Sequence, residues 1–124
     1  MDKTESRYDI ETETMFPQAT HIDVGGIAAA TQPWWNRTLT EVNDAVVRLG
    51  VLDGDFHWHK HENEDEFFFV LEGTFFVDLE DRVIELRPWQ GFTVPKGVVH
   101  RTRAPERAVI LMVENAGIVP TGDD

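Results

Sequence analysis

Residues 56–73 read FHWHKHENEDEFFFVLEG. Three histidines stand at alternate positions, four polar residues follow, and Glu66 opens an unbroken apolar run from Phe67 to Leu71. Alternation at period two is the signature of extended chain, in which successive side chains point to opposite faces. On that reading His57, His59 and His61 line one wall, while Phe56, Trp58 and Lys60 line the other. The rise of ~7 Å between alternate strand residues is small enough for two leaning imidazoles to reach one ion. Glu66, which begins the next strand after the loop of residues 62–65, is placed to return a carboxylate to the same point. Such a site needs a further ligand. The remaining histidines are His21 and His100, and His100 is favoured because it begins a strand just past the Pro95-Lys96-Gly97 turn.

Around this stretch the chain reads as short strands separated by turn chemistry, which predicts an all-β sandwich or barrel. Val46 to Leu52 ends at Asp53-Gly54-Asp55. Phe67 to Leu71 ends at Glu72-Gly73, Thr74 to Leu79 at Glu80-Asp81, and Val83 to Leu86 at Arg87-Pro88. Phe92 to Val94 meets the Pro95-Lys96-Gly97 turn, Val98 to Thr102 is broken by Pro105, and Ala108 to Val113 is the last strong strand. No ten-residue helical stripe occurs, although Thr38 to Ala45 is compatible with a turn of helix. Ile22 and Val24 begin a strand-like segment closed by Gly25-Gly26. Residues 1–20 are expected to form a partly ordered arm, and residues 21–124 a single barrel domain.

Composition narrows the function. The 124 residues suffice for one core and leave too little for a second. Eight Phe, four Trp and one Tyr supply packing material, with Trp34 and Trp35 expected in the core or an interface. A formal net charge of −12 repels phosphate backbones and anionic headgroups, so neither nucleic acid nor membrane is an expected partner. The acids of the first thirteen residues, and Asp123 with Asp124, read as solubilising tails. With no cysteine, disulfides and thiolate ligands are excluded, and Ser6 as the sole serine leaves no nucleophilic triad. No leader-like or membrane-spanning run is present, which places the expected location in the cytoplasm by default.

The segment His59-Lys60-His61, four residues, Glu66, six residues, Gly73 resembles the first motif of the cupins, and Pro95-Lys96-Gly97-Val98-Val99-His100 resembles the core of the second. The resemblance spans Gly54 to Ala104 and is similar to that of small single-domain cupins. It implies an all-β, double-stranded β-helix, a jelly-roll-like barrel, in which His59, His61, Glu66 and His100 bind one divalent transition metal. Zinc, iron, manganese, nickel and copper all suit imidazole with carboxylate. The chain departs from the pattern in three places. The glycine ahead of the first ligand falls at Gly54, with Asp53 in its place; Gly91 lies close to Pro95 and Trp89 stands where many relatives carry glycine; and Ala104 replaces an asparagine.

The implied activity is that of an enzyme on a small organic molecule, of isomerase or dioxygenase type, with His57 and Glu66 the candidates for catalytic acid–base work. The alternative is a non-catalytic module that binds or senses a small ligand. Phe68, Val70 and Thr102 continue the ligand face, predicting an apolar pocket without the cationic cluster a phosphate needs. Phe67, Phe69 and Leu71 then face outward, and an apolar outer face predicts a homodimer. His57 is expected to support the site from its rim. Arg101, Arg103 and Arg107 are expected as exposed strand residues.

Overall fold

The computed structural model describes residues 8–123. Eight strands and one short helix run in the order β1 (Ile10–Thr14), α1 (Val24–Ala29), β2 (Trp35–Val42), β3 (Ala45–Asp55), β4 (Glu66–Glu72), β5 (Phe75–Leu79), β6 (Val83–Leu86), β7 (Gly91–Val94) and β8 (His100–Asn115). One eight-stranded sheet contains them in the order β1-β2-β3-β8-β4-β7, with β5 on β8 and β6 on β5. The fold is all-β, and the sheet wraps without closing. Among the described residues no helix is long and apolar enough to cross a membrane.

Burial explains the wrapping. On β4, Glu66, Phe68 and Val70 are buried while Phe67, Phe69 and Leu71 are half-buried. On β8, Ala108, Ile110 and Met112 join Phe68, Val70, Phe75 and Val77 in one apolar cluster inside the sheet. The outward residues Leu71 and Leu111 meet a second cluster around Ala28, Leu39, Leu49 and Val51, to which Phe16, Ile22 and Trp35 also pack. The chain's own helix and preceding segment thus cover part of the apolar outer face.

Three local expectations are corrected. Thr38 to Ala45 is not helical: Trp35–Val42 is a strand, joined to β3 through Asn43-Asp44 with Val42 opposite Ala45. Asn43 takes the left-handed conformation (φ 54), which asparagine tolerates and a two-residue hairpin requires. The segment from Ile22 begins not a strand but leads into α1, where Asp23 Oδ1 accepts the Gly26 amide at 3.0 Å. That cap offsets the poor helix propensity of two glycines.

Pro105 does not end a strand either. β8 continues through it from His100 to Asn115. Its register against β3 passes from Leu52↔Ala108 directly to Gly54↔Ala104, so residues 105–107 bulge out of the ladder and the missing proline N–H goes unneeded. At the same place β8 changes its other partner, from β4 through Val109 to β5 through Arg103. Gly54 sits within this irregularity with φ +98, a left-handed conformation disfavoured for Asp53 or any other side chain.

The arginines are better held than expected. Arg101 and Arg103 both donate to the buried Asp78 carboxylate, at 3.1 and 2.7 Å through Nε. Arg107 reaches Glu72 and the Ala28 carbonyl, tying β8 to α1.

Candidate metal centre

The histidine stretch is not a regular strand. Residues 56–65 lie outside the named strands, with one isolated bridge in which the amides of His59 and His100 each donate to the other's carbonyl at 2.9 Å. This double bond pins the middle of the loop to the start of β8. A second anchor follows two residues later, where the Gly97 amide donates to the His61 carbonyl at 2.7 Å. The two motif segments, distant in sequence, are thereby laid side by side, and β4 brings Glu66 beneath them.

The consequence is a cluster. Ligand atoms of His59, His61, Glu66 and His100 all lie within 4.8 Å of one another. His61 Nε2 and His100 Nε2 stand 3.4 and 3.5 Å from Glu66 Oε1. His61, Glu66 and His100 are 2%, 5% and 1% exposed. His61 Nε2, His100 Nε2 and Glu66 Oε1 are nevertheless without a hydrogen-bond partner. Buried polar atoms are ordinarily paired, since leaving one unsatisfied costs ~1–3 kcal/mol. Several such atoms converging on one point, all of them nitrogen or carboxylate oxygen, fit a divalent transition ion. Two of the rings are also set for it: His59 Nδ1 and His100 Nδ1 each donate to a main-chain carbonyl at 2.9 Å, those of His57 and Val98, which turns the Nε2 lone pairs inward.

The electrostatics favour ligands in the required protonation states. Burial, then the proximity of His100, lowers His59 to about 4, so its ring is neutral at pH 7. Burial alone would raise Glu66, but the facing His100 and His61 rings outweigh it and hold the carboxyl below the usual carboxylate range.

His57 is not one of the four. Its ring stacks on Phe56 at 4.3 Å, and Nε2 donates to the Thr121 carbonyl at 2.6 Å. A loop, unlike a pleated strand, need not send alternate side chains to one face, and the ring centroids of His57 and His59 are 5.3 Å apart. His21 is exposed, away from the cluster.

Sequence reasoning missed a polar layer behind Glu66. Glu114 extends the inward face of β8 beyond Met112 and contacts Glu66 across the β4–β8 ladder. Burial and the neighbouring Glu66 charge push Glu114 up to about 10, so of this pair Glu66 carries the charge and Glu114 the proton. Arg48, 2% exposed, lies with Nε 3.4 Å from Glu114 Oε1 and donates at 2.5 Å to Thr38 Oγ1 and Asn36 Oδ1. The available signal was weak: a charged residue at an inward position of a strand, Arg48 between Val46 and Gly50 and Glu114 after Met112.

Beyond the cluster a cavity of about 30 Å³ is lined chiefly by apolar side chains, Leu52, Phe68, Phe75, Ile110 and Met112 among them, with Thr102. Among the described residues no lysine or arginine lines it. A second cavity of about 80 Å³ lies on the far side of the Arg48–Glu114 layer, under Thr12, Thr14 and Thr38.

Residues 45–114 match the family described as Cupin domain. The chain is 44% identical over 81 residues to the uncharacterised protein YdbB of Bacillus subtilis, covering 64% of this chain and 72% of that one. It is 34% identical over 86 residues to a mannose-1-phosphate guanylyltransferase of Sinorhizobium fredii, of whose length it spans 17%. Among solved structures, a cupin-2 domain containing protein from Shewanella frigidimarina superposes with a TM-score of 0.71 at 32% identity, over 77% of this chain and 94% of that one.

Proposed function

The chain belongs to the cupin domain family, and from that premise we propose that it is a single-domain metalloprotein whose divalent ion is held by His59, His61, Glu66 and His100 and acts on a small organic molecule. The observation that carries this reading is the set of buried, unpartnered ligand atoms converging within 4.8 Å. When bound, such an ion supplies Lewis acidity toward a carbonyl or enolate oxygen, or a binding position for dioxygen if it is iron. The chain's own residues do the rest. Phe68, Phe75 and Ile110 favour an uncharged or weakly polar substrate body, and a lining without lysine or arginine among the described residues disfavours a phosphorylated one. For proton transfer the chain offers His57 and Glu66, one beside the ligand set and one within it. Isomerisation or dioxygenation of a small carbonyl compound is the chemistry that suits this combination.

Protein purified without chelator should carry about one equivalent of a transition metal, measured by elemental analysis. It should turn over a member of a panel of small diketones, keto acids and aromatic acids when that metal is supplied. Stoichiometric metal without turnover of any panel member would favour a ligand-binding module; absence of metal even after anaerobic reconstitution would overturn the reading.

The same reading extends to assembly. Phe67 and Phe69 remain half-buried on the outer face, with Val113 and Trp89 39% and 75% exposed nearby on β8 and beside Phe69. We propose that two copies associate through this aromatic patch. Light scattering at micromolar concentration should give twice the chain mass, and Phe69→Glu should give the monomer; a monomeric wild type would sink the idea.

A further inference from the structure

The three histidines of the cluster are not held alike. His59 and His100 each give their Nδ1 proton to a carbonyl, whereas neither ring nitrogen of His61 has a hydrogen-bond partner. Yet His61 is only 2% exposed. With Nε2 turned toward Glu66, Nδ1 on the other side of the ring is a buried donor that lacks an acceptor.

An acceptor is close. A ring nitrogen of His61 and carboxylate oxygens of Glu64 and Asp123 all lie within 4.8 Å of one another. Asp123 arrives there on a strap formed by residues 118–123, which is fastened along the histidine loop. Ile118 is buried, the Thr121 carbonyl accepts from His57 Nε2 at 2.6 Å, and the Asp123 amide donates to the Lys60 carbonyl at 2.9 Å. The Glu62 amide donates to Asp123 Oδ2 at 2.7 Å. Asp123 is therefore bonded to the residues on both sides of His61. At Gly122 (φ +98) the strap runs so close that an added Cβ would fall 2.5 Å from His59 Cβ. Glu64, by contrast, has no side-chain hydrogen bond among the described residues.

We propose that Asp123 is the positioning residue for His61: its carboxylate accepts the Nδ1 proton, aims Nε2 at the ion, and makes the strap of residues 118–123 the outer layer of the metal centre. The proposal rests on the metal-binding reading above for its function; the hydrogen bond it assigns needs no metal, only that the carboxylate close on a ring nitrogen it already approaches within 4.8 Å. A carboxylate accepting from the far nitrogen of a ligand histidine fixes the tautomer and raises ligand basicity, and removing one typically costs 10- to 100-fold in metal affinity.

Three measurements test it on the full chain. In ¹⁵N-edited NMR of the metal-free protein, wild type should show a His61 Nδ1 proton protected from exchange, and Asp123→Ala should lose it. In zinc competition against a chromophoric chelator, Asp123→Ala should bind roughly 10- to 100-fold more weakly. Asp123→Asn, which keeps one oxygen acceptor where the carboxylate has two, should recover part of that loss, and Glu64→Ala should match wild type. Cobalt-loaded Asp123→Ala should also show a shifted visible spectrum, which a purely structural role for the strap would not produce. An Asp123→Ala protein with the Nδ1 signal and wild-type zinc affinity would overturn the assignment, as would loss of the signal in Glu64→Ala instead. A wild type that shows the signal, loses it in Asp123→Ala and binds no metal would support the contact and overturn the metal-binding reading.

Discussion

His100→Ala and, separately, Glu66→Ala are expected to purify with essentially no transition metal where the wild type carries about one equivalent. His100 is 1% exposed, its Nδ1 is committed to the Val98 carbonyl, and its Nε2 faces Glu66 with no other partner. Alanine removes one of four convergent donors from a site that structural metals ordinarily fill with four. Glu66 matters for charge as well as geometry, because it is the anionic member of the cluster and its removal leaves three imidazoles and no carboxylate. Elemental analysis of the three proteins, prepared in parallel, decides the matter. Metal retained at wild-type stoichiometry in both variants would place the ion elsewhere. Because His100 also anchors the loop through main-chain bonds that alanine preserves, far-UV circular dichroism should show both variants folded.

Arg48→Ala should lower folding stability by about 3–5 kcal/mol, the usual consequence of removing one partner from a buried ionic group. The guanidinium satisfies Thr38 and Asn36 and lies 3.4 Å from Glu114, in an interior that also holds the Glu66 charge. Without it the buried Glu66 charge loses a neighbouring cation, Glu114, Thr38 and Asn36 lose their partner, and the space joins the neighbouring 80 Å³ cavity. Since small domains are stable by only about 5–15 kcal/mol, the variant should lie close to its unfolding transition at room temperature. Urea denaturation of the metal-free proteins measures the loss, and Arg48→Met, which refills the volume, should recover part of it. A loss below about 1 kcal/mol would mean that the carboxyl pair is neutralised by some other route than Arg48.

Much of the candidate site was legible because its members carry their chemistry in local patterns. Glu66 and His100 each open a strand, and His59 and His61 alternate in the loop just ahead of Glu66; these features are visible in a single pass along the chain. His57 was harder, since the same alternation that singles it out assumes a strand that does not form. Helix α1 was missed because its stability comes from an Asp23 cap and from packing on Leu39 and Val51, not from propensity. The strand Trp35–Val42 was missed because its register with β3, not its composition, makes it one.

By itself the sequence determined that this is an all-β chain and that nitrogen and carboxylate are its available ligands, because turn residues, period-two alternation and residue chemistry act over a few neighbouring positions. Only the tertiary structure decided that His57 bonds the Thr121 carbonyl, that Arg48 and Glu114 meet behind Glu66, and that Asp123 is fastened along the histidine loop rather than free in a tail. Those outcomes depend on which distant segments share a ladder and which buried polar atoms remain unpaired. That accounting can be made only once the chain has been brought together.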